Sequence, residues 1–141
     1  MIAIRDRVRF EETDLMAVVY HSRYLPWLEM GRVAYLRACG IDLNEMMAAG
    51  MLFPIREIHV RYIRSARFDD EYEVRTTLTE FNRAKLHFSY TVVNVATGKV
   101  LVEADTVNVF TDKNGKITRI GEPWLSRIQA LYEQDRAAAQ A

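Results

Sequence analysis

Between residues 22 and 39 the apolar side chains recur at helical spacing, and they spread too far round the helix for it to lie on a surface. Tyr24, Leu28, Gly31, Tyr35 and Ala38 form one stripe, and Leu25, Trp27 and Leu36 widen it well beyond a narrow seam. Such a helix needs cover on most sides. Its ends are marked in the sequence: Ser22 is a candidate N-cap, Pro26 falls within the tolerant first turn or so, and Gly40 stands where a left-handed C-terminal cap belongs. Residues 42–49 add a short second helix, ended by Gly50.

The cover has to come from the remainder of the chain, which reads as β-structure on both sides of the helix. Residues 3–10 alternate, with Ile4, Val8 and Phe10 on one side and Arg5, Arg7 and Arg9 on the other; Asp6 breaks the pattern. After Gly50, strands are predicted over residues 51–65, 72–81, 84–95 and 99–111. Thr97-Gly98 and Asn114-Gly115 are hairpin-type turn signals and Asp69-Asp70 marks a further bend. In the third of these strands Leu86, Phe88, Tyr90 and Val92 alternate with Lys85, His87, Ser89 and Thr91, so one face packs and the other is wetter. Gly121-Glu122-Pro123 then precedes a C-terminal helix over residues 124–141. One strand, a long apolar helix and four strands joined by tight turns define an α+β architecture: a curved antiparallel sheet of about five strands wrapped around a long central helix.

Composition narrows the setting. A chain of 141 residues, 50% hydrophobic, is the size of one domain (1–141) and can bury one core without a disulfide or a structural metal. Lys+Arg and Asp+Glu both number 19, so the charge balance gives no reason to expect nucleic acid or an anionic membrane as partner. The single cysteine, Cys39, reads as a small buried hydrophobe in a reducing compartment. The start, MIAIRDRVRF, alternates instead of showing a basic region and an apolar block, and no run reaches membrane-spanning length. The expected location is the cytoplasm, without membrane insertion.

Chemistry concentrates just ahead of the helix. Asp14 interrupts an otherwise apolar stretch, Leu15-Met16-Ala17-Val18-Val19-Tyr20, and the helix begins near His21. A carboxylate there is either a solvated loop residue or one held in a cleft, where burial raises a carboxyl pKa; the cleft is the reading adopted. Placed beside a helix N-terminus, it can hydrolyse an activated acyl group. Asp14 attacks the carbonyl or takes a proton from water, and backbone N–H groups around His21 and Ser22 stabilise the oxyanion. His21 also offers a ring that titrates near neutrality, although its backbone N–H is the more natural contributor at a helix start. His59 and His87 alternate away from the core with no ligand spacing around them, so no metal is expected. Tyr24, Trp27 and Tyr35 read as packing, with Trp27 an alternative wall for an acyl pocket. Glu29 reads as a partnered structural carboxylate.

The stretch FEETDLMAVVYHSRYLPWLEMGR, followed by FPIREIHVRYIRSARFDD and strands of matching length, resembles the 4-hydroxybenzoyl-CoA thioesterase-like branch of the hotdog-fold acyl-CoA thioesterases. The most specific part is Asp14, Val19-Tyr20-His21, Tyr24-Leu25 and Trp27. The resemblance implies a hotdog fold, acyl-CoA thioester hydrolysis without a cofactor, Asp14 as the catalytic carboxylate, and a homodimer or homotetramer that binds CoA across a subunit interface. Two departures stand out: Met16 and Ala17 occupy a loop where family members often carry glycine, and Phe10 stands where many carry tyrosine. Asn82-Arg83-Ala84-Lys85 opens a strand with Arg83 and Lys85 on one face, and the resemblance makes these two cations the candidates for the CoA phosphates, with Arg64 and Arg67 weaker ones. The rival readings are a thioesterase for carrier-protein-bound acyl chains, a non-catalytic acyl-CoA-binding protein, and a hotdog dehydratase. Asp14 counts against the first two, and His21-Ser22-Arg23 in place of His-Phe-Pro counts against the third.

Overall fold

A computed structural model describes residues 1–140. Five strands, β1 (Ile2–Arg7), β2 (Ile55–Tyr62), β3 (Glu71–Phe81), β4 (Lys85–Asn94) and β5 (Val100–Val109), form one sheet in the order β1-β3-β4-β5-β2, with every neighbouring pair antiparallel. The long helix α1 (Leu25–Ala38) lies over β1 and β3 and reaches β4, while α2 (Leu43–Ala48) follows it and α3 (Trp124–Ala139) packs at β3. This is the curved antiparallel sheet around a central helix that the sequence predicts. Leu86, Phe88, Tyr90 and Val92 of β4 all face the core, as their alternation requires.

Several boundaries differ from the sequence pattern, and the largest departure is β2, which spans Ile55–Tyr62 where a strand over residues 51–65 is expected. β1 stops at Arg7 because the Val8 N–H bonds to the Asp70 carbonyl at 2.9 Å and the chain then enters a 3-10 turn at Phe10–Glu12. Phe10 therefore leaves the buried side of the strand; it is 75% exposed and meets Phe68 edge-on. The helix is entered through a second 3-10 turn at His21–Tyr24, so Ser22 is not its N-cap; Tyr24 holds that position without a side-chain bond, and Pro26 lies in the first turn. The helix predicted over residues 124–141 runs to Ala139, and Ala141 lies outside the described residues. By contrast α2 begins where expected, the Asp42 carboxylate accepting the N–H groups of Asn44 and Glu45 at 2.9 and 3.3 Å.

The α1 stripe is narrower than its composition suggests. Trp27, Leu28, Gly31, Tyr35 and Leu36 are buried, whereas Ala38 is exposed and Leu25 half-buried. Pro26, Glu29, Met30, Val33, Ala34 and Arg37 line an open groove on the far side. Close approach to the sheet is made at Gly31, where a Cβ would collide with Thr76 Oγ1 and lie 3.0 Å from Val74 Cγ1. The other end of α1 is tied to α3: the Tyr35 hydroxyl donates to Asp135 at 2.8 Å, and burial holds that phenol well above its usual range. Cys39 is buried, its thiol pushed up to about 12, so it packs as a hydrophobe and carries no nucleophile at neutral pH.

Candidate active site

The loop carrying Asp14 is fixed by backbone geometry before any side chain matters. Thr13 and Val19 form an isolated antiparallel bridge, the Asp14 N–H bonds to the Val18 carbonyl at 2.9 Å, and the Tyr20 N–H reaches the Glu12 carbonyl at 2.9 Å. Closing so short a loop forces Ala17 into the left-handed region at φ 62°, the conformation that glycine adopts without cost. Met16-Ala17 therefore makes the turn with a non-glycine residue in a conformation that favours glycine. One carboxylate oxygen of Asp14 accepts the Met16 N–H at 2.8 Å, which sets the side-chain direction.

Beneath this loop lies a carboxylate whose role the sequence did not disclose. Glu12 is 7% exposed; it accepts the Arg9 N–H at 2.7 Å through one oxygen and the Trp27 indole N–H at 2.7 Å through the other. Both bonds are charge-assisted, and together they bind the loop's entry to the first turn of α1. Trp27 in turn stacks on Tyr72 of β3 with ring centroids 3.9 Å apart and meets Tyr24 edge-on. It is core and forms no part of the cleft. Glu29, read from the sequence as the partnered buried acid, is exposed and makes no ion pair or side-chain hydrogen bond among the described residues. The buried acid is Glu12.

Asp14 opens on a cleft of about 330 Å³ that it shares with Val18, Tyr20, His21, Tyr24, Tyr62 and Arg64. The two residues singled out as catalytic candidates, Asp14 and His21, thus line one cavity. His21 is exposed; its ring lies against Tyr20 with centroids 4.2 Å apart. The backbone N–H groups of His21 and Ser22, first in the 3-10 turn, have no hydrogen-bond partner among the described residues. Tyr24 accepts the Ala66 N–H at 3.0 Å, and burial holds its phenol above the usual range, as it does that of Tyr62. Arg64, the one Arg or Lys lining the cleft among the described residues, donates to the Val100 carbonyl at 3.0 Å.

Arg83 and Lys85 lie elsewhere. The Asn82 side chain accepts the N–H groups of Ala84 and Lys85, so Arg83 sits in a turn and β4 starts only at Lys85. The two cations do not act on one strand face: Arg83 donates to the Ile120 carbonyl at 3.2 Å, and Lys85 pairs with Glu80 at 3.2 Å. Lys85 faces Val109 in the sheet, whereas the cleft adjoins Tyr62, opposite Val102. Seven residues of β5 separate Val109 from Val102, roughly 24 Å along the sheet. His59 and His87 lie on the outer face of the sheet, as their alternation requires, where His87 Nε2 is 2.9 Å from Asp105.

Comparison with known proteins gives the family and the fold. The model of the thioesterase-like superfamily matches residues 8–131, and the chain belongs to that family. The acyl-CoA thioester hydrolase YbgC of Escherichia coli is 35% identical over 106 residues, covering 75% of this chain and 78% of that protein. The crystal structure of the hypothetical protein TT1821 from Thermus thermophilus is 34% identical, superposes with a TM-score of 0.86 and covers 92% of this chain and 98% of that one. A DHNA-CoA thioesterase from Staphylococcus aureus shares the fold at 24% identity, with a TM-score of 0.85 over 94% of this chain and 93% of its own. The fold is thus the hotdog fold of thioesterases.

The buried Glu12 generates a prediction. Glu12→Ala leaves the buried Trp27 indole N–H and the part-buried Arg9 N–H without their acceptor, and the expected loss is about 3 kcal/mol in denaturant unfolding. Glu12→Gln keeps one acceptor and should lose less.

Proposed function

We propose that this chain is an acyl-CoA thioesterase in which Asp14 acts at the thioester carbonyl and the amides at the start of the 3-10 turn that enters α1 hold the oxyanion. The observation that carries the reading is the placement of Asp14 and His21 on one cleft, at a helix entry whose first two N–H groups are unpaired. The kinship with YbgC supports CoA as the thiol. In the reaction the C–S bond breaks, water supplies the hydroxyl of the released acid, and the thiolate of CoA takes up a proton. Asp14 serves either by direct attack, giving an anhydride that water opens, or by taking the proton of the attacking water. Unpaired amides aimed at the carbonyl oxygen stabilise the tetrahedral intermediate on both routes. No step requires a metal or cofactor. We place the enzyme in the cytoplasm; no helix among the described residues is long and apolar enough to cross a membrane.

The same reading makes the enzyme a homodimer or homotetramer. β2 is an edge strand that pairs only with β5, and it carries exposed Ile58 and Tyr62 next to exposed Ile63. An edge of that length is a pairing surface. If two copies pair antiparallel along β2, the two-fold axis reverses the second sheet, so its Lys85 end lies beside the cleft end of the first. Lys85 of the second copy then lies about three strand spacings, roughly 15 Å, from β2. The roughly 24 Å along the sheet that separates the cleft end from Lys85 within one chain is removed by the dimer, and CoA lies across the interface.

Two experiments test this. Asp14→Asn should fold normally and lose on the order of a hundredfold or more in kcat with KM little changed, because the amide keeps the size of the carboxylate but neither attacks nor accepts a proton. His21→Ala should cost less, since its backbone N–H survives; a folded Asp14→Asn enzyme with wild-type turnover would refute the mechanism. Replacing both Arg83 and Lys85 with alanine should raise KM for an acyl-CoA much more than for a thioester lacking the nucleotide. Equal effects on both substrates would remove these residues from the phosphate site.

A further inference from the structure

We propose that Tyr62 is a positioning residue for the oxyanion site, acting through the backbone of His21; the inference rests on the thioesterase reading above. Tyr62 is the last residue of β2 and lines the cleft. Its hydroxyl donates to the His21 carbonyl at 2.7 Å, a contact between residues 41 apart in the chain. The ring meets Tyr24 and His21 edge-on, with centroids 5.5 and 6.5 Å away, so the phenol is held by packing on two sides.

The carbonyl that receives this bond belongs to the peptide whose N–H is that of Ser22. A donor on the oxygen of an amide draws density from its nitrogen and strengthens the N–H as a donor, so hydrogen bonds in series reinforce one another. The Ser22 N–H has no partner among the described residues, and neither has that of His21. The Tyr62 hydroxyl therefore fixes the peptide plane between the two free donors and polarises one of them. It does so from the sheet edge, which gives the 3-10 entry of α1 a fixed reference that its own short hydrogen bonds do not supply. An oxyanion site works only when its donors are already in place as charge develops, and this contact performs that task without touching the substrate. The phenol stays protonated through neutral pH, its ionisation opposed by burial.

Tyr62→Phe keeps the ring against Tyr24 and removes only the donor. The expected result is a fall of about tenfold in kcat, less than the complete loss of an oxyanion donor, with KM and thermal midpoint unchanged. Incorporating p-aminophenylalanine at position 62 restores an N–H donor and should recover most of kcat, whereas O-methyltyrosine, which cannot donate, should not. Wild-type kcat in Tyr62→Phe, a change confined to KM, or failure of p-aminophenylalanine to recover activity would each overturn the proposal. Asp14→Asn measured alongside separates the two levels: if it keeps turnover the thioesterase mechanism falls, and if it is inactive while Tyr62→Phe is unaffected, only the role of Tyr62 falls.

Discussion

The site depends on one buried carboxylate. Glu12 bridges the Arg9 backbone and the Trp27 indole, and through Trp27, stacked on Tyr72, it fastens the Asp14 loop to both the helix and the sheet. A buried charge is tolerated only when its lone pairs are used, and here each oxygen has a donor at 2.7 Å. The loop above it then has little freedom: a bridge at Thr13 and Val19, a left-handed Ala17 and a bond from the Met16 N–H fix the direction of Asp14. The direction of Asp14, the proposed catalytic group, is thus obtained from backbone pairing and the carboxylate below it, with no ionic partner on Asp14 itself among the described residues.

The sheet topology does the other half of the work. Because the order is β1-β3-β4-β5-β2, the helix covers β1 and β3 while β2 stays at an open edge, and the cleft forms at the end of that edge. The same edge supplies Tyr62 to the helix entry and, on the proposed assembly, the pairing surface for a second chain. On the account developed above, assembly and chemistry share one strand: the partner that closes the edge also carries the cations for the nucleotide.

The fold was legible because its signals are local and periodic. The alternation in β4, the turns at Gly98 and Gly115, the short helix after Asp42 and the apolar face of α1 each follow from short-range patterning, and each reappears in the structure. Asp14 and His21, to which the resemblance points, both line the cleft. What the sequence did not disclose lies in contacts made across the fold. Glu12 finds Trp27 fifteen residues on, and Tyr62 finds His21 from the far edge of the sheet; neither spacing has a sequence signature. Glu29 was mistaken for the buried acid because position on an apolar helix does not tell which side meets the sheet. Arg83 and Lys85 were placed on one face because alternation was counted from a residue that lies in the preceding turn.

The most direct test is a crystal structure with a non-hydrolysable acyl-CoA analogue in which a methylene separates the sulfur from the carbonyl. The account predicts the ketone oxygen within hydrogen-bond distance of the His21 or Ser22 N–H, with the Asp14 carboxylate facing the carbonyl carbon. A ketone bound away from the helix entry, with Asp14 turned to solvent, would contradict it.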